Sequence, residues 1–147
     1  MNCAPKTCFK PAMQSCKASW ALLLLRLVAG VAFMIHGWGK IQSPFGWMGP
    51  ESPVPGFFQF LAALSEFGGG LAWVLGALTP LASLGIAITM TVATCLHAFV
   101  MKDPFVASGP GMGSYELALV YLCMALVFMT VGPGKYSLDR KIFGERL

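Results

Sequence analysis

The sequence predicts an all-α integral membrane protein, a four-helix bundle threaded up-down-up-down, and three observations predict it. Hydrophobic residues make up 56% of the 147 residues and charged residues only 11%, with a mean hydropathy of +0.71. Soluble domains carry roughly 25% charged residues, so the lipid bilayer is the solvent that suits this chain. Four apolar runs of roughly 17–23 residues are each long enough to cross a ~30 Å hydrocarbon core at ~1.5 Å per residue. The cations gather at the two chain ends, at Lys6, Lys10, Lys17, Arg26, Lys135, Arg140, Lys141 and Arg146, against Lys40 and Lys102 on the other side. By the positive-inside rule both termini are cytoplasmic. The net charge of +4 forms no basic stripe, which excludes nucleic acid as a partner.

The elements follow in order. Residues 1–18 read as a polar cytoplasmic tail holding Cys3, Cys8 and Cys16, whose spacing matches no metal motif; its thiols are expected to stay reduced. Helix 1 covers 19–41, an uncleaved anchor because Arg26 interrupts the apolar run and no small-x-small cleavage site follows. The stretch 43–55 contains Pro44, Pro50, Pro53 and Pro55 and reads as a loop, flanked by Trp38 and Trp47 at the membrane–water boundary. Helix 2 covers 56–78, and Gly68, Gly69 and Gly70 let neighbouring backbones approach closely. Thr79-Pro80 makes a tight turn, with Thr79 as N-cap and Pro80 at the first helical position of helix 3, residues 80–101. A Gly- and Pro-rich loop leads to helix 4, residues 114–132, with Ser114 as N-cap and Gly132-Pro133-Gly134 as the stop signal. Residues 135–147 read as a basic cytoplasmic tail, so the transmembrane domain spans 19–134.

The ionisable residues inside these helices carry the functional reading, because such groups are expensive in hydrocarbon and mark functional sites. Counting from the cytoplasmic ends, His36 lies at ~24 Å, His97 at ~25 Å and Glu116 at ~24 Å, a shared level near the outer face. Lys40 lies one turn above His36 on the same face. Glu66 falls at ~18 Å and Arg26 at ~9 Å. Each would otherwise leave a charge in hydrocarbon, so the two are expected to form a charge-assisted pair. Plainer roles stay open: Lys40 could snorkel to the outer surface, Glu116 could serve the positive end of helix 4, and Arg26 could anchor topology. Cys95 and Cys123 are offset too far along their helices for a disulfide. Neither a metal site nor a thioredoxin-type motif is supported, since no CxxC occurs among the five cysteines.

These residues together resemble the DoxX family of small four-helix bacterial membrane proteins. The resemblance runs from about Leu22 to Asp139. It rests on Arg26; on His36-Gly37-Trp38-Gly39-Lys40; on Glu66 with Gly69, Gly70, Leu75-Gly76 and Thr79; on His97 and Glu116; and on Gly132-Pro133-Gly134-Lys135-Tyr136-Ser137-Leu138-Asp139. The cysteine-bearing tail is not part of that pattern. The resemblance implies the four-helix bundle and a bacterial cytoplasmic (inner) membrane location. Relatives include quinone-linked thiosulfate oxidoreductase subunits, so it also implies a redox role. On that reading the protein is an oxidoreductase subunit that binds a quinone or quinone-like substrate near the outer face. His36, His97 and Glu116 would be the catalytic proton donors, Lys40, Arg26 and Glu66 would bind substrate, and Arg26 and Glu66 would also hold the bundle and tune the field. No haem motif, iron–sulfur spacing or dinucleotide fingerprint is present, so a redox partner protein would supply electrons. The alternatives are a non-redox proton or small-solute transport module, which with so few spans would need a homo-oligomer, and a structural subunit of a membrane complex.

Overall fold

The structure, a computed structural model, describes residues 14–144; Cys3, Cys8 and most of the expected N-terminal tail lie outside them. Every regular element among the described residues is helical. The elements are α1 (Cys16–Gln42), α2 (Gly56–Leu75), α3 (Thr79–Cys95, continued by a π-helical turn at Leu96–Val100), α4 (Glu116–Thr130) and the short α5 (Leu138–Phe143). Three helical spans, Cys16–Gln42, Gly56–Leu75 and Thr79–Val100, are long and apolar enough to cross a membrane, and Glu116–Thr130 is a shorter apolar helix.

The first helix shows why the chain suits lipid. Its buried stripe is Ser19, Leu22, Arg26, Ala29, Gly30, Phe33 and Gly37, spaced at the three- and four-residue steps of one helix face. The opposite face carries Leu24, Val28, Val31 and Ile35, all exposed. A helix that is apolar outside and holds its arginine inside has the reverse of a water-soluble pattern. It begins at Cys16 because the Ser15 hydroxyl accepts a hydrogen bond from the Ala18 N–H at 3.1 Å, so Cys16 and Lys17 belong to the helix and not to a tail.

α1 packs on α2, α2 on α3, and α3 on α4. The α1–α2 seam is built on glycine. A Cβ added to Gly30 would lie 2.7 Å from the Gly70 carbonyl oxygen, and one added to Gly70 would lie 2.7 Å from that of Gly30. Gly37 meets the Phe67 backbone in the same way. As α1 runs from Gly30 to Gly37, its contacts on α2 therefore run backwards from Gly70 to Phe67. At the centre, Trp73 stands edge-on to Phe33 (centroids 5.4 Å apart) and to Phe128 (4.8 Å). Its indole N–H donates to the Ser83 hydroxyl at 2.9 Å, which satisfies the polar end of a fully buried ring.

α2 stops at Leu75, earlier than the expected residue 78, because Gly76 takes a left-handed conformation (φ 65°) that ends the helix. A side chain there would also strike Ser137 and the Arg26 guanidinium. The next turn differs from expectation as well. Thr79 is not the N-cap: Leu78 occupies that position with φ 48°, and no side chain within the turn caps the helix. The cap comes from far along the chain. The Leu78 and Thr79 N–H groups donate to the Asp139 carboxylate at 2.6 and 2.8 Å, and the Asp139 N–H donates to the Gly76 carbonyl at 2.8 Å. Residues 137–143, expected as part of a basic tail, thus fold back as a Ser137-capped helix against the α2–α3 turn. Ser114 likewise does not cap α4, which begins at Glu116 behind Tyr115 and ends at Thr130.

Replacing Asp139 with Ala strips two N–H groups at the α3 start, the buried one of Thr79 and the part-buried one of Leu78, of their acceptor. The expected loss is about 2 kcal/mol or more, the upper end for a helix cap, because the site is buried. Thermal aggregation of the variant in detergent, compared with the parent protein, checks it; an unchanged midpoint would show that the cap is dispensable.

Candidate functional site

The candidate site forms where the ionisable ends of α1 and α3 meet the middle of α2. A cavity of about 210 Å³ is lined by His36 and Lys40 from α1, Glu66 from α2 and His97 from the π-helical turn, with Ser114 and Tyr121 completing the polar rim. Phe33, Met90, Ala93, Leu117 and Ala118 supply apolar walls. α1 and α4 are not a closely packed pair, and the cavity has lining residues from both helices. His36 is exposed at this edge, while Glu66 is 4% exposed.

Glu66 is the buried centre of the site. Lys40 Nζ lies 2.6 Å from Glu66 Oε1, and the same ammonium sits 4.5 Å from the centroid of the Trp47 ring. A cation held by a carboxylate and an aromatic face suits a desolvated position. Trp47 is fixed in turn by its indole N–H, which donates to the Gln59 carbonyl at 3.0 Å. The second carboxylate oxygen, Glu66 Oε2, is buried and has no hydrogen-bond partner among the described residues.

The expected Arg26–Glu66 pair is not formed. Arg26, 1% exposed, spends its guanidinium on main-chain carbonyls. Nε donates to Trp73 O at 2.7 Å, Nη1 to Pro133 O at 2.7 Å and Tyr136 O at 3.0 Å, and Nη2 to Val74 O at 3.2 Å. Asp139 adds an electrostatic counter-charge. Arg26 therefore joins α1, the end of α2 and the segment after α4, and it is not among the residues that line the cavity. The physical reason lies in the α1–α2 register: it sets Arg26 beside Trp73 and Val74, the carboxyl end of α2, whose last carbonyls lack helical partners.

His36 and His97 share the cavity, as their common depth suggested. Glu116 does not line it; half-buried, it stands at the start of α4 beside the lining residues Ser114 and Leu117. One functional group escaped the sequence reading. Asp103, in the loop after α3, accepts a hydrogen bond from His97 Nδ1 at 2.6 Å. The six-residue spacing of His97 and Asp103 follows no helical rule; the π-helical turn and the Asp103 N–H bond to the His97 carbonyl at 2.9 Å bring them together. Such turns recur at functional sites. A carboxylate on Nδ1 sets the tautomer and leaves Nε2 as the nitrogen free for exchange with a ligand. Asp103→Asn is expected to mix the His97 tautomers; nitrogen-15 NMR of labelled histidine in nanodiscs reads the change, and an unaltered spectrum would dismiss the pair.

A sequence profile described as DoxX matches residues 21–101. "Inner membrane protein YqjF" of Escherichia coli is 36% identical over 124 residues, covering 81% of this chain and 89% of that one. An uncharacterized protein of Haemophilus influenzae is 30% identical, covering 83% and 90%. "Putative oxidoreductase CatD" of Bacillus subtilis is 27% identical, covering 82% and 86%. No solved structure matches.

Proposed function

Since the chain belongs to the DoxX family, we propose that this membrane protein is a redox subunit of the bacterial cytoplasmic membrane. On this reading it is threaded up-down-up-down with both termini cytoplasmic, and it binds a quinone or quinone-like ring in the cavity lined from α1, α2, α3 and α4. The observation that carries the reading is the convergence of His36, Lys40, Glu66 and His97 on one apolar-walled cavity. The size fits a single substituted ring: a 150 Å³ apolar cavity holds benzene, and this one is about 210 Å³. The relative named as an oxidoreductase supports the redox class.

Reduction of a quinone to a quinol takes two electrons and two protons. The electrons come from a partner redox protein. The chain's own residues hold the ring and manage protons. Lys40 and the histidines donate hydrogen bonds to carbonyl oxygens, and the apolar walls exclude water around them. The imidazolium form of His97, oriented by Asp103 at Nδ1, passes its Nε2 proton to a ring oxygen, and reprotonation from the rim where His36 is exposed supplies the second proton. Arg26 and Glu116 take no direct part.

The test is saturable binding. The full chain in nanodiscs is titrated with duroquinone, a fully substituted ring that resists addition to the thiols, and with its reduced form under anaerobic conditions. Binding of either form that weakens in His97→Ala or His36→Ala supports the reading, and no saturable binding of either form overturns it.

A further inference from the structure

The unpartnered oxygen of Glu66 specifies the chemistry of what the cavity holds. Glu66 is a cavity-lining residue whose side chain is only 5% exposed. Oε1 is taken by Lys40, and Oε2 has no partner among the described residues. An ionised carboxylate accepts hydrogen bonds and donates none, and a buried acceptor without a donor carries a desolvation penalty. A ligand seated against Glu66 therefore gains most by bringing its own O–H or N–H. The terminal torsion of a glutamate is soft, so the carboxylate can turn Oε2 onto the ligand while keeping its bond to Lys40.

Resting on the quinone-site reading above, we propose that the cavity selects the hydroxyl-bearing, reduced form of its ring ligand, a single-ring quinol, with one phenolic O–H donating to Glu66 Oε2. The oxidised ring offers only carbonyl acceptors. Those can be served by Lys40 and the histidines, but they cannot satisfy Glu66 and would face its charge. The reduced ring offers both functions, because a phenolic oxygen accepts from the cations while its proton goes to the carboxylate. Hydrogen bonds to charged groups are the strong class, so the preference is expected to be about tenfold to a hundredfold in Kd. For a two-electron couple each tenfold is ~30 mV, so the bound ring is easier to reduce than the free one by that amount. Glu66 thus acts as a selectivity residue for the redox state, beyond its pairing with Lys40.

The experiment is anaerobic calorimetric titration of the full chain in nanodiscs with duroquinone and with durohydroquinone, a matched pair of the same ring and substituents. The reduced form is expected to bind at least tenfold tighter. In Glu66→Gln the carboxamide oxygen still accepts from Lys40 while its N–H₂ becomes a donor, so the preference should shrink or invert. If the oxidised form binds as tightly as the reduced form, or more tightly, this proposal falls while the ring-binding site stands. If neither form binds, both fall. The comparison on the parent protein is decisive by itself, so a Glu66→Gln chain that fails to fold does not rescue the idea.

Discussion

Arg26→Ala is expected to prevent accumulation of folded protein. The guanidinium is 1% exposed and donates to four carbonyls, Trp73, Val74, Pro133 and Tyr136, from two separate parts of the chain. Alanine would take the guanidinium donors from Val74, Pro133 and Tyr136, while Trp73 O would keep only the Gly76 N–H at 3.1 Å, at a helix end where carbonyls are already short of donors. It would also remove a cation close to the buried Asp139 carboxylate. Hydrogen bonds to charged groups contribute ~1.5–3 kcal/mol each and do not simply add; breaking a buried charge network costs about 3–5 kcal/mol. That is comparable with the whole margin of an ordinary domain, about 5–15 kcal/mol. Arg26→Lys should rescue little, because one ammonium cannot span the fan of acceptors that a planar guanidinium reaches. Folded yield and thermal aggregation midpoint in detergent check this, and a normal yield of Arg26→Ala would show that the carbonyl node is not holding the bundle. The same measurement distinguishes the observed pairing from an Arg26–Glu66 pair. Losses from Arg26→Gln and Glu66→Gln should add, since the two side chains share no partner.

Lys40→Met should be the most damaging change at the cavity itself. It removes the cation 2.6 Å from Glu66 Oε1 and leaves a carboxylate whose side chain is 5% exposed with neither oxygen partnered. Stranding one member of a buried pair costs about 3–5 kcal/mol. Lys40 is itself 26% exposed along its side chain, so water reaching the rim should hold the loss near the lower figure. Adding Glu66→Gln to Lys40→Met should recover most of the folded yield, because no bare charge is then left in an apolar surround. The double variant should still lose ring binding. Four-way comparison of thermal midpoints checks the coupling; strictly additive losses would mean that the 2.6 Å pair contributes nothing to stability.

Much of the molecule was legible in the linear chain because membrane solvation is a one-dimensional constraint. Charge content, run lengths and stop signals identified an all-helical membrane protein, and the DoxX pattern identified its family. The spacing of His36 and His97 placed both at one level, and both line the cavity. Depth along a helix is a matter of counting residues at ~1.5 Å each. Who pairs with whom is not. Counting left Glu66 nearer to Arg26 than tertiary structure does, because side chains lean toward the N-terminus of their own helix. Contacts between α1 and α2 run in opposite senses, so Lys40 and Glu66 lean toward each other while Arg26 and Glu66 lean apart. The long lysine closes the remaining gap.

The other tertiary decisions share this character. Thr79 and Ser114 have the right chemistry for N-caps, yet Asp139, 60 residues beyond Thr79, caps α3 instead. Asp103 reaches His97 only because the helix loosens into a π-turn before the loop doubles back. The chain alone determined the apolar helical class and the common level of His36 and His97, since these depend on composition and spacing. Only the folded bundle decided the partners of Arg26, Lys40, Glu66, His97 and Asp139. A hydrogen bond acts over about 3 Å, and helix rotation, register and lean, none of which local sequence specifies, determine which groups come within that reach.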